Sequence, residues 1–223
     1  NSNNYLYSFT NQTYDQIKRN FYSEKLRAKN RVKIRDYTSQ TNISIATKDK
    51  TKIEFIYLGT WRKIKGPIRL LNVLSKFDKK DFILKDGKSL RFSFYTDIQK
   101  RNINNPHPEH ISINGWSDNI QNIISNAYGQ IIPSEGESFG YAAVEAQVSF
   151  LPVIHTNQGG LKEIFEGTHF PIIPIKFTKY DLLQAIEYLT RSSFEDMTKE
   201  GVFLKSSLEK SVWNTDKMFS IFK

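Results

Sequence analysis

Between Lys52 and Thr190 short apolar runs alternate with stretches of helical spacing, and that alternation restricts the chain to few folds. IEFIYLG is a compact β-rich run closed by Gly59. GPIRLLNVLSKF follows, with Ile68, Leu71, Leu74 and Phe77 on a helical period. LRFSFYT (Leu90–Thr96) and HISINGW are further strand-like runs, the second ending at a Gly115 turn. Asp118 precedes the helical series Ile120, Ile123, Ile124 and Ala127. YGQIIPS reads as a strand stopped at Pro133, SFGYAAVEAQ as a helix, LPVIHT as a strand, NQGG as a turn and LKEIFE as a short helix. Thr178 and Asp181 form a capping-box-like start to DLLQAIEYLT. Helices lying between strands of about five residues are crossovers, and crossovers build parallel sheets. The predicted class is therefore α/β, with βα units and a parallel sheet.

Composition narrows the chemistry. The chain has 223 residues, enough to bury a core without staples, and no cysteine. That excludes thiol nucleophiles and Cys-ligated zinc, and leaves the compartment open. No apolar run approaches the roughly 18 residues of a membrane span, and no signal-type segment opens the chain. The start at Asn1 suggests a piece of a longer protein. A net charge of +9 fits a basic soluble protein, or one that meets nucleic acid, an anionic membrane or a phosphorylated ligand. Without zinc-finger spacing or an RNP-type signature, no nucleic-acid partner is expected. Residues 1–50 are rich in Asn and Thr and strongly basic. Within them Lys25, Arg27, Lys29, Arg31, Lys33 and Arg35 stand at every second position, so a strand would carry them on one face. That face is either solvated or a strip for an anionic membrane surface. The expected location is the cytoplasm, with the strip as a route to peripheral contact with the inner face of a membrane.

In open parallel sheets ligands sit beyond the carboxyl ends of the strands. The turns after Leu58, Ile132 and Ile154 are thus the candidate site. PSEGESFG leads into a predicted helix whose first turn holds Ser138, Phe139 and Gly140. Unsatisfied helix amides and a glycine that permits close approach make a phosphate seat; alternatively, Gly140 only relieves packing. Glu137 precedes that helix and Glu145 lies within it, eight residues on, among Ala142, Ala143, Val144 and Ala146. Carboxylates repel phosphate but accept strong hydrogen bonds from hydroxyls. A ligand with phosphates flanked by polyols, such as a nucleotide sugar, satisfies both. In GTWRKIKG, Arg62, Lys63 and Lys65 lie between two glycines, either to meet phosphate oxygens or as an exposed basic loop. Gly159 and Gly160 offer another close approach after Ile154.

Four pieces in order carry a resemblance: IYLGTWRKIKGPIRLL, ISINGW, IIPSEGESFGYAAVEA and LPVIHTNQGGLKEIF. From Lys52 onward the chain resembles the C-terminal, donor-binding domain of GT-B glycosyltransferases of the group 1, family 4-like, retaining type, which implies an α/β fold, a Rossmann-like parallel sheet with helices on both faces, one half of a GT-B fold. The resemblance implies retaining transfer of a hexose from an NDP-sugar to an acceptor, with no metal and no separate cofactor. It implies catalytic roles for Glu137, facing the sugar ring, and Lys65, on the diphosphate. Gly59, Thr60, Arg62, Trp116, Ser138, Phe139, Gly140 and Glu145 would bind the donor, with Glu145 on the ribose hydroxyls and Trp116 beside the base. The leaving phosphate would assist the incoming hydroxyl on the same face. The chain departs from the family at Thr60, where an Arg is usual and Arg62 comes two residues later, and at YTDIQKR, where a glycine-rich turn is usual. The implied domains are 1–50, a linker or remnant of the N-terminal acceptor domain; 51–205, the nucleotide-sugar domain; and 206–223, a closing helix with Trp213. The acceptor site would lie on the missing N-terminal domain, so this piece would bind donor without completing transfer. The alternatives are a decayed or non-catalytic sugar-nucleotide module, and a nucleotide-sugar epimerase of related architecture, against which the paired-glutamate spacing argues.

Overall fold

A computed structural model describes residues 52–98, 103–117, 119–137, 140–149 and 151–191. The basic strip, Asp118, Ser138, Phe139 and the Trp213 segment lie outside the described residues. The strands are β1 (Lys52–Leu58), β2 (Ser89–Tyr95), β3 (Ile111–Asn114), β4 (Gly129–Ile132) and β5 (Val153–His155). All pair in parallel in the order β3-β2-β1-β4-β5. The helices are α1 (Pro67–Leu74), α2 (Ile120–Asn126), α3 (Tyr141–Val148), α4 (Leu161–Ile164) and α5 (Lys179–Arg191). The chain builds outward from β1 to β3, then returns to lay β4 on the other side of β1. Right-handed crossovers in opposite directions put α1 on one face and α3 on the other. The reversal leaves a crevice beyond the carboxyl ends of β1 and β4. No helix among the described residues is long and apolar enough to cross a membrane.

Strand alternation decides what the sheet buries. Phe55 and Tyr57 are in register with Phe92 and Phe94, which are in turn in register with Ile111 and Ile113. The Phe92 ring lies 6.1 Å from Phe77 and 6.2 Å from both Phe55 and Phe82, centroid to centroid. Each fully buried Phe contributes roughly 2 kcal/mol by area alone. The opposite face is apolar at Ile56 and Leu58 of β1 and polar at Glu54, Ser93 and Ser112. The Ser93 hydroxyl donates to Glu54 and shares a 2.8 Å hydrogen bond with Ser112, which accepts from Asn114 Nδ2 at 3.1 Å.

Element ends differ from the sequence reading where caps decide them. α1 stops at Leu74 and buries Leu70, Leu71, Val73 and Leu74; Ile68 is 43% exposed and Phe77 is buried beyond the helix end. Asn119 caps α2, its Oδ1 accepting from the Asn122 N–H at 3.3 Å. α3 begins at Tyr141, so Gly140 lies ahead of the helix instead of in its first turn, with φ at 81°. The α5 cap is as expected: Asp181 accepts from the Thr178 N–H at 2.7 Å, and Thr178 Oγ1 from the Asp181 N–H at 3.4 Å.

Two contacts fix how the site loops emerge. Gly66 has φ 78°, and a Cβ there would lie 2.1 Å from the Pro133 carbonyl oxygen. Alongside, the Glu135 N–H donates to the Ile64 carbonyl at 2.7 Å. The loops after β1 and β4 therefore touch backbone to backbone. On β5, His155 is 1% exposed and packs its ring 4.4 Å from Phe165. Its Nδ1 accepts from the N–H of Asn157, which has φ 51°. Burial pushes the imidazole down to about 4, so it is neutral at pH 7.

Gly66→Ala is expected to destabilise the fold by about 3 kcal/mol, because strain and overlap add. Gly87→Ala, at φ 81° with nothing within 4 Å of the new Cβ, should cost only about 1 kcal/mol. Urea unfolding of both variants measures the difference. His155 gives a pH test. Its folded-state value lies below its unfolded one, so the unfolded chain binds the extra proton and stability is lost as pH falls. The depression from 6.5 to about 4 corresponds to about 3 kcal/mol, present above pH 6.5 and lost by pH 4. Unfolding free energies from pH 7.5 to 4 should fall more steeply for the wild type than for His155→Gln.

Candidate functional site

Three loops converge beyond the carboxyl end of the sheet. The first runs from Gly59 to Gly66. The Gly59 N–H donates to the Tyr95 carbonyl at 3.2 Å, and the Tyr57 hydroxyl to the Thr60 carbonyl at 2.8 Å. The Trp61 N–H donates to Asp97 Oδ1 at 2.7 Å, while the Trp61 ring lies 5.9 Å from Phe94. Lys63–Lys65 then form a 3-10 turn closed by the Lys65 N–H on the Arg62 carbonyl at 2.9 Å. This turn carries the Lys65 ammonium.

The second loop, after β4, carries Glu137. Lys65 Nζ donates to Glu137 Oε1 at 2.6 Å and to Oε2 at 2.7 Å. Oε1 also accepts from the Gly140 N–H at 3.2 Å, and Oε2 from the Ser134 hydroxyl at 3.4 Å. The Glu137 side chain is 9% exposed and that of Lys65 32%. A carboxylate so enclosed needs a partner, because desolvating an unpaired charge is costly. Lys65 supplies it and keeps a route to solvent.

The third loop, after β5, holds the Glu137 backbone. The Gly160 N–H donates to the Glu137 carbonyl at 2.7 Å, and a Cβ on Gly159 would lie 2.1 Å from that oxygen. The Thr156 hydroxyl donates to the Ser134 carbonyl. Glu137 is thus fixed through its carboxylate by one loop and through its main chain by another.

Nearby charges respond to this arrangement. Burial, then the charges of Glu137 and Asp97, raise the Tyr57 phenol far above its usual range, so it serves only as a neutral donor. The Trp61 N–H, helped by the Thr96 hydroxyl and the Arg62 charge, holds the Asp97 carboxyl below its usual range.

The structure brings together Lys65, Glu137 and Gly140. Gly59, Thr60 and Arg62 lie on the first loop, with Arg62 exposed just before the 3-10 turn. The Gly140 N–H is directed at the Glu137 carboxylate, and a Cβ on Gly140 would lie 3.1 Å from Ile164 and 3.2 Å from Glu137 Cγ, so packing also demands glycine there. Glu145 is half-buried on α3, between buried Ala143 and Ala146. Trp116 stands past the end of edge strand β3, 63% exposed and away from the ion pair. Among the described residues no cluster of His, Asp and Glu is placed to hold a metal. Sequence reasoning missed Ser134, Tyr57 and Asp97. Asp97 offered one signal, a carboxylate two residues past the end of a central strand.

Comparison with known proteins gives this geometry its context. The chain is 31% identical over 117 residues to an uncharacterized 41.2 kDa protein in the cps region of Klebsiella pneumoniae, covering 52% of this chain and 30% of that one. It is 27% identical over 171 residues to an uncharacterized glycosyltransferase of Methanocaldococcus jannaschii, covering 74% and 47%. The chain thus spans less than half the length of the curated relatives it matches. Among solved structures, it is similar to S. aureus TarM, a mutant form in complex with fondaparinux, alpha-GlcNAc-glycerol and UDP. The TM-score is 0.65 at 14% identity, over 97% of this chain and 43% of that one. It is also similar to the C-terminal domain of a group 1 family glycosyl transferase, LpcC, from Francisella tularensis. There the TM-score is 0.54 at 18% identity, over 70% of this chain and 85% of that one. These likenesses fit the Rossmann-like C-terminal half of a GT-B fold. The family model for glycosyl transferases group 1 matches residues 38–193, and the chain belongs to that family.

Proposed function

We propose that this chain is the donor-binding part of a retaining glycosyltransferase, and that it holds a nucleotide-diphosphate hexose in the crevice beyond β1 and β4. The observation that carries the reading is the Lys65–Glu137 pair at the reversal of strand order. Lys65 is the cation for the diphosphate, joined by Arg62 from the same loop. A diphosphate meeting Lys65 competes for its ammonium and frees one Glu137 oxygen to accept from a sugar hydroxyl. Gly59 and Thr60 let the ligand approach the loop, and Ser138, Phe139 and Gly140 border the phosphates. Glu145 takes the ribose hydroxyls and Trp116 lies on the nucleobase side. As the glycosidic bond breaks, charge grows on the leaving phosphate, where a fixed ammonium stabilises it more than it stabilises the ground state. No metal is required in this scheme. The hexose passes to a hydroxyl of an acceptor molecule held by a second domain of the whole enzyme, the nucleoside diphosphate leaves, and residues 51–205 form the donor domain. The UDP in the TarM complex supports a nucleotide ligand for this fold.

Calorimetric titration of the chain with UDP-, GDP- and ADP-hexoses tests the reading. One donor should bind, and Lys65→Ala and Glu145→Ala should each weaken it about tenfold or more, the scale of one charge-assisted hydrogen bond. Lys65→Ala also strands the Glu137 carboxylate, so Lys65→Ala with Glu137→Gln should recover thermal stability but not affinity. Absence of binding to every donor, or full affinity in both single variants, overturns the assignment.

A further inference from the structure

The loop after β1 is pinned at consecutive residues, and the last pin comes from outside the residues assigned to the donor. Gly59 is held by Tyr95, Thr60 by the Tyr57 hydroxyl and Trp61 by Asp97. Next comes Arg62, exposed and in extended conformation (φ −91°, ψ 142°), its carbonyl accepting from the Lys65 N–H. The Thr60–Trp61 peptide, one unit ahead of Arg62, is held at both of its polar groups: its carbonyl accepts from the Tyr57 hydroxyl at 2.8 Å and its N–H donates to the Asp97 carboxylate at 2.7 Å, while the Trp61 ring packs on Phe94. The backbone that carries Arg62 leaves the loop from this fixed unit. Asp97 is itself oriented by the Thr96 hydroxyl, which donates to the same oxygen at 3.2 Å. It stands two residues past the end of β2, where the strand directs it across to the β1 loop.

We propose that Asp97 is a positioning residue of the donor site, which aims Arg62 at the diphosphate by holding the Trp61 amide. The proposal rests on the donor-binding reading above. It accounts for how a guanidinium two residues beyond Gly59's neighbour Thr60 reaches the ligand: the loop is drawn toward β2 at Trp61, and Arg62 is the first side chain past the restraint. The carboxylate contributes as an acceptor. Its charge, which would repel phosphate, is already engaged by the Trp61 N–H, the Thr96 hydroxyl and the nearby Arg62.

The test is a double-mutant cycle on donor binding, with the tightest-binding NDP-hexose and this chain. Asp97→Ala should weaken donor binding about tenfold, while Asp97→Asn, which keeps the amide oxygen acceptor, should stay within about twofold of wild type. In an Arg62→Ala background, Asp97→Ala should add less than about a twofold loss, because the residue acts through Arg62. Amide hydrogen exchange at Trp61 should quicken in Asp97→Ala and remain slow in Asp97→Asn. A tenfold loss in both backgrounds, or an Asn variant as weak as the Ala variant, overturns the proposal. So does an Ala variant with full affinity. If wild type binds a donor and the Asp97 series is flat, only this inference falls; if wild type binds none, the donor reading falls and takes it along.

Discussion

A carboxylate that is nine-tenths enclosed must be met by a cation, and Glu137 is met by Lys65. This demand organises the carboxyl end of the sheet. Lys65 belongs to the loop after β1 and Glu137 to the loop after β4, so the two loops have to close on each other. They do so through the main chain, with Gly66 against Pro133 and Ile64 against Glu135. The loop after β5 then fills the remaining side by seating Gly159 and Gly160 on the Glu137 peptide. The ion pair adds little net stability in itself, since desolvation offsets the attraction. Its worth lies in register: the charge is satisfied only when the first two loops close on each other, while the third holds the Glu137 main chain.

The sheet beneath supplies what the loops cannot. Its aromatic side, built on Phe55, Phe92 and Phe94, makes β1 and β2 a stiff platform, and the strand order brings β4 beside them. The reversal of winding is what allows loops distant in sequence to meet. Restraints from β2, through Tyr95 and Asp97, reach the first loop from the other direction. The crevice is therefore bounded by groups with different tasks: cations at the front and main-chain donors and acceptors holding them.

Much of this was legible in the sequence. The strands were visible because period-two apolar runs of Phe, Ile and Leu have few other uses, and the turns after them followed from parallel topology. Lys65 and Glu137 were singled out by glycine-flanked cations and a carboxylate next to a glycine turn. Their direct pairing was not, because nothing local links residues 72 positions apart. The late start of α3 has a backbone cause. Gly140 adopts left-handed backbone, which delays the helix, and a glycine's sign of φ cannot be read from its neighbours. Ile68 fell on the wrong face because strict three-residue spacing drifts by about 60° per step on a helix of 3.6 residues per turn, and the buried stripe runs through Leu70, Leu71, Val73 and Leu74. Asp97 was hidden for a different reason: it acts on the main chain of Trp61, which leaves no mark in side-chain chemistry.

The contacts at Gly66 and Gly159 have a consequence for how such a site can change over time. Each places a main-chain oxygen where a side chain would otherwise begin. The joint between loops thus requires only that a methyl group be missing at two positions, and is indifferent to which residues flank them. Neighbours such as Lys63 and Gln158 are free to drift while the spacing of the loops stays put. A scaffold assembled this way can exchange its ligand-facing side chains without rebuilding the frame. That is the property expected of an architecture found again at 14% identity with a TM-score of 0.65.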